Sequence, residues 1–370
     1  MRKKLLAVFF SIMLLGPISP ATAAAPELSI TSSSISGAVT TGGGSRGPAL
    51  AVMKDGTLLL GGGNKGGELF VWNTTTKKLR NLGNLIPANK RLIDSRFAIT
   101  DIAVLSETKR IANLLISYPR LGGNGRCVEV AVDQVRYNRK SQRVNQVANW
   151  FVSKPCVPVS AVQHASGRFA VVDKNSAYVT IGDLGFTQVN NRSKRGDLTS
   201  IFLVSASKVT QISQGHRNAQ GIALINGRDL LAAEHGPRGG DELNLIKPGN
   251  DYGWPFVTYG EPYSSGDYVR PTKTGTHDGY VEPLKYWVPS IAPTELVQIP
   301  SSGWGEWNNQ LALGTLRENS LVFMKFDRNY RITDTQLVDV GQRIRDLEVG
   351  INGNLIATTD EGRLLEISLK

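Results

Sequence analysis

A short pattern recurs along this 370-residue chain and restricts its fold more than any other feature. An apolar strand runs into a polar turn, and a second apolar strand follows that ends in small residues. Copies lie at 49–61 (ALAVMKDGTLLLG), 102–118, 169–182, 222–234 and 347–359, with a partial copy at 307–315. Asp55-Gly56, Asn226-Gly227 and Asn352-Gly353 supply the positive-φ pairs of tight hairpin turns. Each copy therefore reads as a β-hairpin, and the intervals leave room for four strands with their loops. Four-stranded sheets repeated around an axis make a propeller. Six copies predict an all-β, six-bladed β-propeller filling 26–370 as a single domain. Nearly continuous apolar strands suit inner strands covered on both faces. Segments 68–73 and 320–326 are candidates for strands further out. A pair of two-sheet sandwiches is the competing architecture, and the even recurrence argues against it.

The N-terminus stands apart from this pattern. Arg2, Lys3 and Lys4 precede an uncharged apolar run, Leu5 to Leu15, and a small-residue patch follows at Ala21-Thr22-Ala23. That order is a secretory signal peptide over 1–25, with cleavage after Ala23 or Ala25. An uncleaved anchor is the other reading, but the run is short for a bilayer. No Cys follows it, which argues against a lipoprotein. The mature chain is then exported, periplasmic or extracellular, with no membrane span. Export bears on the only cysteines, Cys127 and Cys156. Two thiolates fall short of a zinc set, so they read as a disulfide, with two buried free thiols as the alternative. The formal charge of +11 is scattered, without the aromatic-interleaved basic face of a nucleic-acid binder. It suits an anionic envelope or an acidic redox partner.

Propeller ligands sit on the axis, where loops of all blades converge, so chemistry is sought at the ends of the hairpin strands. His164 immediately precedes the third hairpin and Asp183 immediately follows it. Adjacent strands would bring the two together. The carboxylate would then fix the imidazole tautomer and leave the other nitrogen as a base. Arg217 and Asn218 precede the fourth hairpin. Arg343 and Arg345 open the sixth on one side of a strand, requiring an anion or a partner such as Asp346 or Asp360. Arg317 ends the fifth. Four guanidiniums around one base describe a site for a small polycarboxylate ligand. The turn at Gly236-Pro237 offers backbone carbonyls to a hard cation, without the spacing of an EF-hand. His216 and His235, in the same dense stretch 215–255, read as structural.

Three segments, 163–185 (QHASGRFAVVDKNSAYVTIGDLG), 215–255 and 342–362 (QRIRDLEVGINGNLIATTDEG), resemble the pyrroloquinoline quinone (PQQ)-dependent soluble aldose sugar dehydrogenases of the glucose/sorbosone dehydrogenase family. Segment 286–293 (YWVPSIAP) resembles that family's linker into the fifth blade. The family's fold is a six-bladed propeller. The resemblance implies oxidation of an aldose at the anomeric carbon to a lactone, with hydride passing to PQQ and electrons then passing to a quinone, cytochrome or dye. It assigns His164 as general base and Asp183 as its partner. Arg217 and Asn218 would bind the cofactor and stabilise its developing charge. Arg343, Arg345 and Arg317 would take its carboxylates, and the Gly236 and Pro237 carbonyls would hold calcium. Two positions depart from the family pattern: Arg317 replaces a Lys, and Arg96-Phe97-Ala98 replaces a Gln-Gly-Gly-type turn. These departures bear on substrate choice, and they leave a non-catalytic exported propeller as the alternative. A calcium-dependent lactonase would require several carboxylates and amides on one metal, whereas this pocket is cationic.

Overall fold

In the computed structural model, residues 24–159, 164–266 and 268–370 are described, so the expected leader falls almost wholly outside them. Six antiparallel sheets follow one another around an axis, each with its first strand innermost. The innermost strands are Ala49–Val52, Asp101–Glu107, Ser166–Asp173, Ala219–Ile225, Pro293–Gln298 and Ile344–Val349. Successive ones pack against each other, and the sixth returns to the first. Strand directions alternate within a blade, so the chain end before each inner strand and the one after each second strand share one end of the axis.

Burial explains the architecture. Six apolar clusters occupy the six gaps between neighbouring blades. Phe169, Val179 and Phe202 of blade three, for example, face Leu115, Val130 and Trp150 of blade two. Each fully buried large apolar side chain contributes roughly 1.5–3 kcal/mol. No blade can bury both faces alone, so the ring must close. Closure comes from the N-terminal segment: Leu28–Ser34 pairs with Arg363–Leu369 and becomes the outermost strand of blade six. The hairpin pattern gave no sign of that pairing, because the polar sequence LSITSSS carries no apolar run.

Blade five corrects the partial hairpin. Its inner strand is Pro293–Gln298, paired with Leu311–Thr315, while Trp307 lies in the short 3-10 turn Gly305–Trp307 between them. Thr294 and the buried Glu295 interrupt the apolar run and hide this strand from a hydrophobicity reading. In segment 286–293, Tyr286 and Trp287 belong to the outermost strand of blade four, Lys285–Trp287, before the chain crosses. Cys127 and Cys156 form a disulfide. It fastens the third strand of blade two to the loop after its fourth, and contributes on the order of 3 kcal/mol. Among the described residues no helix is long and apolar enough to cross a membrane.

The axis itself is polar. Arg168, wholly buried, donates from Nη1 to Asp346 Oδ2 (2.7 Å) and from Nη2 to the Arg345 carbonyl (2.7 Å). Glu295 lies 3.4 Å and Asp101 3.8 Å from the same guanidinium. The three acids also reach across blade boundaries. Asp101 Oδ2 accepts from Phe169 N, Glu295 Oε1 from Ile222 N and Asp346 Oδ2 from Leu50 N. One cation and three carboxylates thus tie all six inner strands together.

Candidate active site

The third blade brings the histidine and its carboxylate together. Ser166 pairs with Ile181 at the end of the hairpin, so the residues just beyond meet. His164 Nδ1 lies 2.8 Å from Asp183 Oδ1. The approach is close enough that a Cβ at Gly182 would lie 1.9 Å from the His164 carbonyl oxygen, so glycine is required there. His164 (φ +52) and Leu184 (φ +53) both occupy the left-handed region, a strain found where the surroundings fix a functional geometry. Asp183 Oδ2 accepts from the Trp254 indole at 3.0 Å, and Oδ1 also accepts from Gly185 N at 2.7 Å.

These contacts set the charge states. Burial and then the Arg217 charge hold the His164 imidazole below its ordinary value, against the opposing pull of Asp183. Burial disfavours the Asp183 carboxylate, but His164, Arg217 and the Gly185 amide outweigh it and keep the group below the usual range. The stable arrangement at neutral pH is a neutral imidazole with Nδ1–H donating to an ionised Asp183. Nε2 is then unprotonated and accepts from Arg217 Nη2 at 3.2 Å, and the side chain keeps 16% of its surface open.

Arg217 is buried at the start of blade four. Its backbone N–H donates to Glu234 Oε2 (2.7 Å), and its Nη1 to the carbonyls of His235 (3.2 Å) and Gly236 (2.5 Å). Among the described residues its guanidinium has no carboxylate partner. Asn218 Oδ1 accepts from Ser166 Oγ and Gln220 Nε2 beside it. His216 is locked between Ser213 and Glu234. His235 Nε2 donates to the Pro293 carbonyl, and burial and Arg217 push its imidazole down to about 3, so it is a fixed neutral wall.

A cavity of about 420 Å³ opens over these groups, lined by His164, Asn218, His235 and Arg345 together with Arg46 and Arg96. Arg345 and Arg343 both turn to Asp360, Arg345 through two 2.9 Å bonds and Arg343 through one of 3.1 Å. Asp346 points the other way, to Arg168. Arg343 is 45% exposed and lies outside the cavity lining. Arg317 is also outside it, 57% exposed beside Glu318, so the structure does not gather the four expected guanidiniums. Arg96 reaches the cavity but is held by Asp94.

Sequence reasoning missed Arg46, Arg168 and Trp254. The signal for Arg46 was present: it stands just before the first hairpin, as His164 and Arg217 stand before theirs. Trp254 has no such signal, because its loop is brought back to Asp183 by tertiary folding.

The cationic cavity fits a polycarboxylate cofactor. Among the described residues, Arg46 Nε and Gln220 Oε1 are buried there without a partner. The calcium donors fit less well. Gly236 O already accepts from Arg217, Pro237 O accepts from Tyr263 at 3.3 Å, and two carbonyls do not complete the six to eight oxygens calcium takes.

The fold and site define a six-bladed propeller whose axial cavity is lined by a carboxylate-paired histidine and by Arg46, Arg96 and Arg345. The chain belongs to the glucose/sorbosone dehydrogenase family, whose model matches residues 46–366. It is 28% identical to aldose sugar dehydrogenase YliI of Escherichia coli over 289 residues, covering 73% of this chain and 76% of that protein. An uncharacterized Synechocystis protein, slr1608, is 38% identical over 158 residues, 42% of this chain and only 38% of that protein's length. The PQQ-bound aldose sugar dehydrogenase of Streptomyces coelicolor superposes with a TM-score of 0.67 at 20% identity, over 94% of this chain and all of that one.

Proposed function

We propose that this chain is a PQQ-dependent dehydrogenase that oxidises aldoses at the anomeric carbon to lactones. The observation that carries the proposal is the His164–Asp183 pair, whose neutral imidazole opens on a cavity lined by Arg46, Arg96 and Arg345. Relatives named for aldose and quinoprotein chemistry support the substrate class and the cofactor. PQQ, when bound, supplies a quinone carbonyl that accepts a hydride from the sugar.

The residues divide the remaining work. His164 Nε2 takes the proton of the anomeric hydroxyl as the C1 hydrogen leaves with its electron pair. Asp183 stabilises the imidazolium formed and holds the ring in one tautomer. Arg217 places fixed donors beside the base, where negative charge develops. Arg345 and Asn218 face the cofactor cavity. Arg343 and Arg317 flank its rim and act at longer range. If calcium binds, the Gly236 and Pro237 carbonyls would be its protein donors, each released from its present partner, and the ion would supply Lewis-acid polarisation of the bound ligand. The leader at 1–25 would deliver the enzyme outside the cytoplasm, where a quinone, a cytochrome or an added dye takes the electrons. N-terminal sequencing of the exported protein tests cleavage after Ala23 or Ala25.

A non-catalytic binding propeller has no use for a strained, carboxylate-oriented histidine. A calcium lactonase needs open acids, whereas among the described residues the three carboxylates close enough to share a metal, Asp101, Glu295 and Asp346, surround Arg168. The purified protein with PQQ and calcium should reduce a dye when given aldoses. Absence of turnover across a panel of sugars, or full turnover in His164→Ala, would contradict the proposal.

A further inference from the structure

Among the described residues, Arg46 is the cation of this pocket with no hydrogen-bonded or ion-paired partner of its own. It lies in the two-residue strand Ser45–Arg46, which pairs with Thr40–Thr41 and leads into the inner strand of blade one. The half-buried side chain lines the cavity with His164 and Arg345. Among the described residues its guanidinium makes no hydrogen bond or ion pair, and Nε is buried without an acceptor.

The surrounding charges sharpen the contrast. Arg96 has Asp94, and Arg345 with Arg343 has Asp360. Asp360 also accepts from Gly47 N at 2.9 Å, directly after Arg46. A Cβ at Gly47 would lie 3.0 Å from Arg345 Cβ and 2.4 Å from the Thr359 carbonyl oxygen, so this glycine lets blade one close on blade six. That closure sets Arg46 beside a second guanidinium. Burial, then the Arg345 and Arg168 charges, push the Arg46 guanidinium down to about 9, against the smaller opposing pull of Asp360 and Asp346. Like charges gathered away from water are stable only with an anion between them.

We propose that Arg46, with Arg345, forms a carboxylate-binding subsite of the axial pocket, contributed by blade one. The guanidinium presents a planar fork, which suits a carboxylate held through two parallel hydrogen bonds. Two sources share that chemistry: a carboxylate of the cofactor, or the C6 carboxylate of an acidic aldose seated over His164. This deepens the dehydrogenase reading, but the subsite can be tested without turnover.

The test compares wild type with Arg46→Gln, Arg46→Met and Arg46→Lys as full-length apo-protein. PQQ and, separately, glucuronate and glucose are titrated while thermal stability and binding heat are followed. Without ligand, Arg46→Met should melt at or above the wild-type temperature, since an unanswered charge is removed. A clear fall would assign Arg46 a structural role and overturn the proposal. With ligand, the Gln and Met variants should bind a carboxylate probe at least tenfold more weakly, and Lys should restore part of the loss. Loss confined to PQQ makes the cofactor the source. Loss confined to glucuronate, with glucose and PQQ little changed, makes an acidic aldose the source. Unchanged binding of both carboxylate probes, or no binding of either to wild type, overturns the subsite. Dye reduction by PQQ-loaded wild type with glucose is run alongside. Turnover with no effect at Arg46 rejects the subsite and keeps the dehydrogenase. An Arg46-dependent response to glucuronate without turnover does the reverse.

Discussion

Two clusters of charge share the propeller axis, and they are built for opposite ends. The inner one sets Arg168 among Asp101, Glu295 and Asp346. Every member also bonds to the backbone of another blade, and Arg168 is wholly buried among the three acids. The outer one holds His164 and Arg46 on a cavity whose described lining has arginines and no carboxylate, with Arg217 bonded to His164 behind them. The inner cluster pairs its cation with carboxylates of the chain and fixes the blades. The outer one leaves its electrostatics incomplete, so that something bound must finish them. A charged residue in a propeller throat is therefore classified by whether its partner belongs to the chain.

Substitutions can break this contrast. His164→Ala should lower kcat by about 10²- to 10⁴-fold, the usual span for a lost general base. PQQ affinity, followed by titration, should change far less. Arg168→Met should act on the fold instead. It leaves three acids crowded and unpaired, and should cost about 3–5 kcal/mol in urea unfolding. If Arg168→Met left stability intact, or His164→Ala destabilised the protein as much, the division between the clusters would fail.

Acidity separates the clusters more gently. The His164 base must be neutral, so kcat/KM should fall as pH drops through its folded value, and that acid limb should lie below the ordinary histidine range. Arg217→Met removes one of the influences holding the imidazole down. The limb should then move to higher pH, read from kcat/KM profiles of the residual activity. In the inner cluster, burial pushes Glu295 up to about 8. The folded protein therefore holds a proton that the unfolded chain releases between about pH 4.5 and 8. Its contribution to stability declines as pH rises through that window. Glu295→Gln should flatten this decline, as measured by denaturation at a series of pH values. It is the smallest effect in the set.

Much of the fold was legible because the hairpin copies repeat the same burial problem in each blade. The exceptions are physical. Leu28–Ser34 joins as an edge strand, held mainly by backbone hydrogen bonds, and needs no apolar signature. The fifth inner strand was obscured by Glu295, placed there for the axial cluster. At the site, His164 and Asp183 could be paired from their positions flanking one hairpin. Arg345 could be placed at the pocket, but its division of Asp360 with Arg343 depended on three-dimensional contacts. Arg317 was read from its place at a strand end, yet its side chain turns outward to Glu318. Strand position gives the end of the axis, and side-chain direction needs the packed loops.

The central claim is that the outer cluster is a loaded redox site, and a single-turnover experiment tests it most directly. PQQ and calcium are added to the apo-protein under anaerobic conditions, with no electron acceptor, and the quinone absorbance is followed as glucose is mixed in. The account predicts that PQQ binds and that glucose converts the bound quinone to its reduced form in wild type, with a rate greatly lowered in His164→Ala. PQQ that does not bind, or that binds and stays oxidised across a panel of aldoses, would contradict it.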